Sequence, residues 1–382
     1  MARLLQLLVV ALVLGLAGCG DGRPDDRVVA LGEERSEFAR GGWRTDFSRH
    51  TVPLEEIRTG GPPRDGIPPI DKPRPVDQLA AERFLSEREP VIAVEVGGAA
   101  RAYPVRILVW HEIVNDRLGG RAIAVTYCPL CNSSLVFDRR VGGRQLSFGS
   151  TGNLRRSNLV MWDRQTESWW QQLSAAAIVG ELAGERLRPL AAQTVSWAQF
   201  KRRHPDGDVL SRDTGAERDY ERNPYLGYDE PASRPHLFRG RVDERLAPKE
   251  RVVALLDAAP PVVVPFARLR QDSAVEVDAG STPAVVLYEP GVASAIDADS
   301  VARAEDVGSA GAFDRRVGGR ALSFARRGNV FVDRETESSW DVTGRAVGGR
   351  MRGTRLRPLR HDEPFWFALA AFVPEARIAA PR

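Results

Sequence analysis

From residue 91 onward, short apolar runs alternate with glycine-bearing turns. VIAVEV (91–96), RAYPV (101–105), AIAVTY (122–127), SLVFDRR (134–140) and RQLSFG (144–149) are brief and either β-branched or alternating. That is the pattern of half-buried strands. VGGR (141–144) falls between the last two, and its glycines supply the positive φ that a tight hairpin needs. The clearest helical stretch is TVSWAQFKRRH (194–204), with Thr194 or Ser196 as its cap and Trp197 and Phe200 three apart. A further short helix is expected after Pro104.

The pattern then recurs. FDRRVGGRQLSF (137–148) returns as FDRRVGGRALSF (313–324), DRQTESWW (163–170) as DRETESSW (333–340), and RLRPL (186–190) at 355–359. Upstream, VIAVEVGGAARAYPVRIL (91–108) aligns with VVALLDAAPPVVVPFARL (252–269). Downstream, Trp197 aligns with Trp366, in the helical stretch EPFWFALAAFV. Each copy has the size of a small domain, and two copies are too few for a solenoid. The expected fold is mainly β, a β-rich α+β chain. It is a tandem pseudo-symmetric repeat of two small sandwich- or barrel-like domains, each closed by one helix. The expected boundaries are 76–210 for the first copy, 211–250 for a polar connector and 251–382 for the second copy.

The N-terminus changes the picture. MARLLQLLVVALVLGLAGCG carries Arg3, an apolar run too short to span a bilayer, and small residues before Cys19. Leu16-Ala17-Gly18-Cys19 resembles a bacterial lipobox, so residues 1–18 read as a lipoprotein signal peptide and Cys19 as the lipidated residue. The lipid would make a membrane the first partner, in the cell envelope; with two membranes, Gly20 after the cysteine points to the periplasmic face of the outer one. Residues 19–75, rich in Pro and Gly, read as a tether with Trp43 and Phe47 as anchors. Net charge is +3, and the arginines are scattered among acids rather than grouped, so nucleic acid is not an expected partner.

With Cys19 assigned to lipid, two of the three cysteines remain, in TYCPLCNSS (126–134). Cys128-Pro129-Leu130-Cys131-Asn132 has the sequence of a metal-binding knuckle, in which a tight turn aims both sulfurs at one point. The residue after the second cysteine commonly needs positive φ, where Asn is the best choice after Gly. NSSLVF reads as strand, which argues against the helix that follows a thioredoxin-type pair. No other cysteine completes a zinc site, so His111 in LVWHEIVND is the best third ligand. The second copy keeps the turn but replaces Tyr127-Cys128-Pro129 with Tyr288-Glu289-Pro290, and His111-Glu112 with Asp272-Ser273. The first copy therefore reads as the working one.

Three functions follow. A metal protein would hold copper, or secondly zinc, on Cys128, Cys131 and His111, and serve a metal-delivery partner. A thiol–disulfide oxidoreductase would use Cys128 and Cys131 as catalytic residues on an envelope redox partner. A structural or ligand-binding envelope module would use a cleft between the copies, lined by Asp213, Tyr220, Tyr225 and Asp229. No organic cofactor is indicated. Arg212-Asp213-Thr214-Gly215 has no second copy, as an aspartic protease would require. GSTGNLRRSN (149–158) lacks the lysine of a phosphate loop, and TESWW with its copy TESSW reads as core scaffold.

AYPVRILVWHEIVND, VTYCPLCNSS, FDRRVGGRQLSFG, LVMWDRQTESWW, SRDTG and NPYLGYD together resemble a bacterial and archaeal family known only as domain-of-unknown-function 3179. The resemblance covers roughly residues 75–380. The family pattern has Gly where this chain has Asn132, and its second half also lacks the cysteines. It implies the fold and no reaction.

Overall fold

The computed structural model describes residues 41–380. The expected signal peptide, Cys19 and the first part of the tether lie outside the described residues. Strands take 39% of the chain and helices 11%, so the protein is mainly β, built from several open sheets and no closed barrel.

Each copy is built from three main sheets in the same sequence of elements. In the first copy Pro90–Val96 and Ala99–Pro104 pair with Ala192–Ser196 and Asp208–Leu210. A second sheet joins Ile113–Leu118, Arg121–Cys128, Ser133–Asp138 and Arg188–Leu190. A third joins Phe148–Arg155, Asn158–Asp163, Trp169–Gln171 and Ala176–Val179. The second copy repeats this with Val252–Leu255 and Val262–Pro265, then Ala274–Ala279, Thr282–Glu289 and Ser309–Asp314, then Phe324–Arg327 through Ala346–Gly348. Two seven-residue helices recur in each copy, a later one and an earlier one that in the first copy is the helix expected after Pro104; a four-residue helix, Gln78–Ala81, belongs to the first copy alone. Val105–His111 corresponds to Phe266–Asp272, and Trp197–Arg203 to Trp366–Phe372. Ser196 caps its helix through a reciprocal exchange with Gln199, as its hydroxyl takes the Gln199 N–H and the Gln199 side chain takes the Ser196 N–H. Among the described residues no helix is long and apolar enough to cross a membrane.

The repeated DRxTES motif is scaffold. Asp163 accepts the indole N–H of Trp170 at 2.9 Å, and Asp333 accepts that of Trp340 at 2.9 Å. Each aspartate also takes the N–H and hydroxyl of the threonine three residues on. These bonds close a loop whose glutamate adopts positive φ in both copies, 55° at Glu167 and 56° at Glu337.

Residues 41–75, expected within the tether, are packed onto the first copy. Trp43 meets Trp162 and Trp169 edge-on, with ring centroids 5.5 and 5.0 Å apart, and Phe47 meets Trp169 at 5.2 Å. Ile57–Thr59 adds an antiparallel edge strand to Phe148–Arg155, and Ile67 and Ile70 are buried. Four apolar side chains spaced along a Pro-rich segment suffice to dock it.

Each copy has apolar clusters of its own, and one further cluster joins the two. It contains Tyr127, Cys128 and Cys131 from the first copy and Phe365, Phe367 and Ile296 from the second, with Tyr225 and Phe238 of the connector.

A buried dithiol as candidate functional site

Cys128 ends one strand and pairs across the hairpin with Ser133, so Pro129-Leu130-Cys131-Asn132 form the turn. The Cys131 N–H donates to the Cys128 carbonyl at 3.1 Å, and Asn132 has φ 51°, the left-handed conformation the sequence calls for. Its side chain adds a reason for Asn over Gly. The amide N–H donates to the Glu363 carbonyl at 2.8 Å, and the amide oxygen accepts the Tyr127 hydroxyl at 3.1 Å. A strand follows the pair, not a helix.

Both thiols are free and buried, Cys128 1% and Cys131 0% exposed. Burial pushes the Cys128 thiol up. The Cys131 S–H, the N–H groups of Leu159 and Cys131, and the Asn158 amide more than offset this, and the net direction is down. Cys131 moves the opposite way: burial, then its hydrogen bond to Cys128 and that neighbour's charge, push it well up. The single Cys131 S–H donates to the Ser157 carbonyl at 3.2 Å, so it serves Cys128 only by turning away from that oxygen, and the Asn158 amide lies 3.5 Å from the Cys131 sulfur. The two thiols are therefore pushed in opposite directions, Cys128 down and Cys131 up.

His111 does not join it. It ends the helix Val105–His111, and its Nδ1 lies 2.6 Å from the Pro68 carbonyl, which can only accept. Nδ1 thus carries the proton, and Nε2 accepts the Tyr220 hydroxyl at 2.6 Å. Burial lowers the imidazole to about 4, so it is neutral with both nitrogens engaged. Among the described residues no three His, Cys, Asp or Glu side chains gather closely enough to hold a metal ion. The expected set of Cys128, Cys131 and His111 is therefore not gathered at one point.

Glu112, the next residue, faces the thiols instead. It caps the helix with φ 56° and is buried, and its carboxyl is pushed well up by burial and then by the charge of Cys128. Ser273 holds the same backbone position in the second copy, φ 58°, without the carboxyl. Glu112 was the visible sequence signal: it disappears together with both cysteines.

The proposed cleft residues are dispersed. Asp213 is exposed and accepts from Arg74. Tyr220 binds His111 and the Thr214 hydroxyl. Asp229 pairs with Arg251 at 2.8 Å and accepts the Ser294 hydroxyl. Only Tyr225 reaches the thiol site, fully buried, its phenol pushed well up by burial and then by Glu112. Tyr228, not singled out from sequence, covers the turn by donating to the Leu130 carbonyl at 3.1 Å.

The second copy supplies the other wall. Ser133 donates its hydroxyl to Asp362 at 2.6 Å, the Ser134 N–H donates to Asp362 at 2.9 Å, and the Phe365 N–H donates to the Cys131 carbonyl at 2.8 Å. Burial raises Asp362 to about 6; burial and then Asp362 raise Glu363 to about 8. Where the first copy has its four-residue thiol turn, the second has the long loop 290–308. Its carbonyls at Ile296, Asp297 and Asp299 accept from Tyr228, Gly227 and Asn223 and hold the connector over the thiols.

Fold and site together define a tandem β-rich protein whose one dithiol is buried between its copies. The chain belongs to the family described as "Protein of unknown function (DUF3179)", which it matches over residues 64–376. The match starts before residue 75 and so takes in the docked segment containing Ile67 and Ile70. No curated protein and no solved structure matches the chain.

Proposed function

We propose that this protein is a thiol–disulfide redox protein, with Cys128 as nucleophile and Cys131 as resolving thiol. The observation that carries this reading is geometric: two free, buried thiols sit at the two ends of one tight turn, with the N–H groups of residues 131 and 159 and the Asn158 amide beside the sulfurs, an environment that favours thiolate at Cys128. Such a pair exchanges with a disulfide. The Cys128 thiolate attacks one sulfur of the substrate disulfide and expels a thiolate, which takes the Cys131 proton. The Cys131 sulfur then attacks Cys128 Sγ and expels the second thiolate. One substrate disulfide becomes one protein disulfide, one thiol and one thiolate. Burial and then the charge of Cys128 favour the protonated form of Glu112, which limits negative charge in the pocket.

The test is equilibration of the purified chain in dithiol/disulfide buffers, with the Cys128–Cys131 bond quantified by mass spectrometry. A reversible two-electron transition lost in Cys128→Ser and Cys131→Ser supports the reading; thiols that stay reduced across the whole range refute it.

A second reading is favoured by the sulfurs being neighbours: two thiolates are a complete donor set for Cu(I), which prefers soft ligands. Copper at one equivalent per chain, absent in Cys128→Ser, would support it. The envelope location rests on Cys19 and belongs to the same proposal; incorporation of labelled fatty acid that fails in Cys19→Ser tests it.

A further inference from the structure

Sulfurs this deeply buried need a route for their reactant. The hairpin between Phe148–Arg155 and Asn158–Asp163 turns through only Arg156 and Ser157, which have φ of 52° and 63°. Two-residue turns of this hand favour Asn-Gly, and neither Arg nor Ser is at ease there. The matching turn of the second copy carries Gly328, with φ 60°. Strained non-glycine backbone of this kind concentrates at functional sites. This turn is also the cover of the dithiol. The Ser157 carbonyl meets Cys131, Asn158 and Leu159 hydrogen-bond the sulfurs, and the Ser157 hydroxyl donates to the His236 carbonyl at 2.6 Å.

On the far side of the turn lies a cavity of about 530 Å³, lined by Ser157, Phe238, the arginines 58, 156, 239 and 241, and the acids Glu55 and Glu56. Its size suits a small molecule. Its charge is unbalanced toward the cations. Glu56 is already shared by Arg155 and Arg156, at 2.6 and 3.1 Å. Phe238 belongs to the same buried cluster as Cys131. One peptide layer thus separates an arginine-rimmed cavity from the sulfurs.

We propose that this cavity is the docking site of a small anionic disulfide, and that the Arg156–Ser157 turn is the gate through which it meets the dithiol. This rests on the redox reading above. The substrate is a low-molecular-weight disulfide bearing carboxylates, held by the arginines while the thiol exchange runs as written.

The experiment compares the reduced full chain with two probes, dianionic 5,5′-dithiobis(2-nitrobenzoate) and neutral 2,2′-dithiodipyridine, following thiol release by stopped flow. Arg58→Glu/Arg241→Glu, both at the rim and outside the Glu56 cluster, should slow the dianionic probe by ~10-fold or more and leave the neutral one within about twofold. That follows from the range of electrostatic steering. Added salt should narrow the gap in the parent chain. Equal effects on both probes, or none, with reaction still lost in Cys128→Ser, would overturn the docking site and leave the redox reading standing. A chain whose reaction with both probes is insensitive to Cys128→Ser would overturn both.

Discussion

Replacing Cys131 by alanine separates the two sources of Cys128 acidity. The substitution deletes the S–H donor but keeps the backbone N–H of residue 131, the Leu159 N–H and the Asn158 amide. A hydrogen bond to a charged group contributes about 1.5–3 kcal/mol, and one pKa unit corresponds to about 1.36 kcal/mol. Loss of this one donor should therefore raise the Cys128 midpoint by about one to two units, and cut its thiolate population ~10- to 100-fold below that midpoint. The assay is a pH titration of ultraviolet thiolate absorbance in Cys131→Ala, with a Cys128→Ser chain as the blank. Cys131→Ser, which retains an O–H donor, should restore most of the shift. A midpoint in Cys131→Ala equal to or below that of the parent would refute the part given to the Cys131 S–H in favouring the Cys128 thiolate.

Three further outcomes follow from the same structure. The Glu363 carboxyl loses its proton near 4.5 when unfolded but holds it to about 8 when folded, so the folded state binds the extra proton across that window and stability falls as pH rises through it. Glu363→Gln should remove ~2 kcal/mol or more of that loss, read as a smaller drop in urea midpoint between pH 5 and pH 9, and an unchanged drop would contradict the burial of this side chain. Glu112→Gln should act in the same direction, since Glu112 is also raised. Trp170→Phe and Trp340→Phe should each cost about 1–3 kcal/mol by removing one donor from a buried aspartate that keeps its threonine hydroxyl, and a neutral result in either would count against the scaffold role of that loop.

The repeat was readable because long runs of residues recur, and the sheets followed from it. The thiol turn was readable because Asn after the second cysteine marks positive φ, and φ there is 51°. His111 misled because sequence spacing does not say which way a side chain at a helix end points: it turns to Pro68 and Tyr220, while the next residue faces the sulfurs. Ser157, Asn158 and Asp362 were out of reach because each belongs to an element far along the chain from the cysteines. The docking of residues 41–75 was legible at Trp43 and Phe47, the expected anchors, while Ile57, Ile67 and Ile70 were masked by the surrounding Pro and Gly.

The wall contributed by residues 362–365 also has a temporal side. Asn132 and its acceptor Glu363 are 231 residues apart. At ~5–20 residues per second, a growing chain carries its thiol turn for roughly 10–50 s before that wall exists. For that interval the thiol turn lacks the wall formed by residues 362–365, and afterwards it has it. The length of that interval is set by the 231 residues between the two ends of one hydrogen bond, so the cover of the dithiol is separated from it in time as well as in sequence.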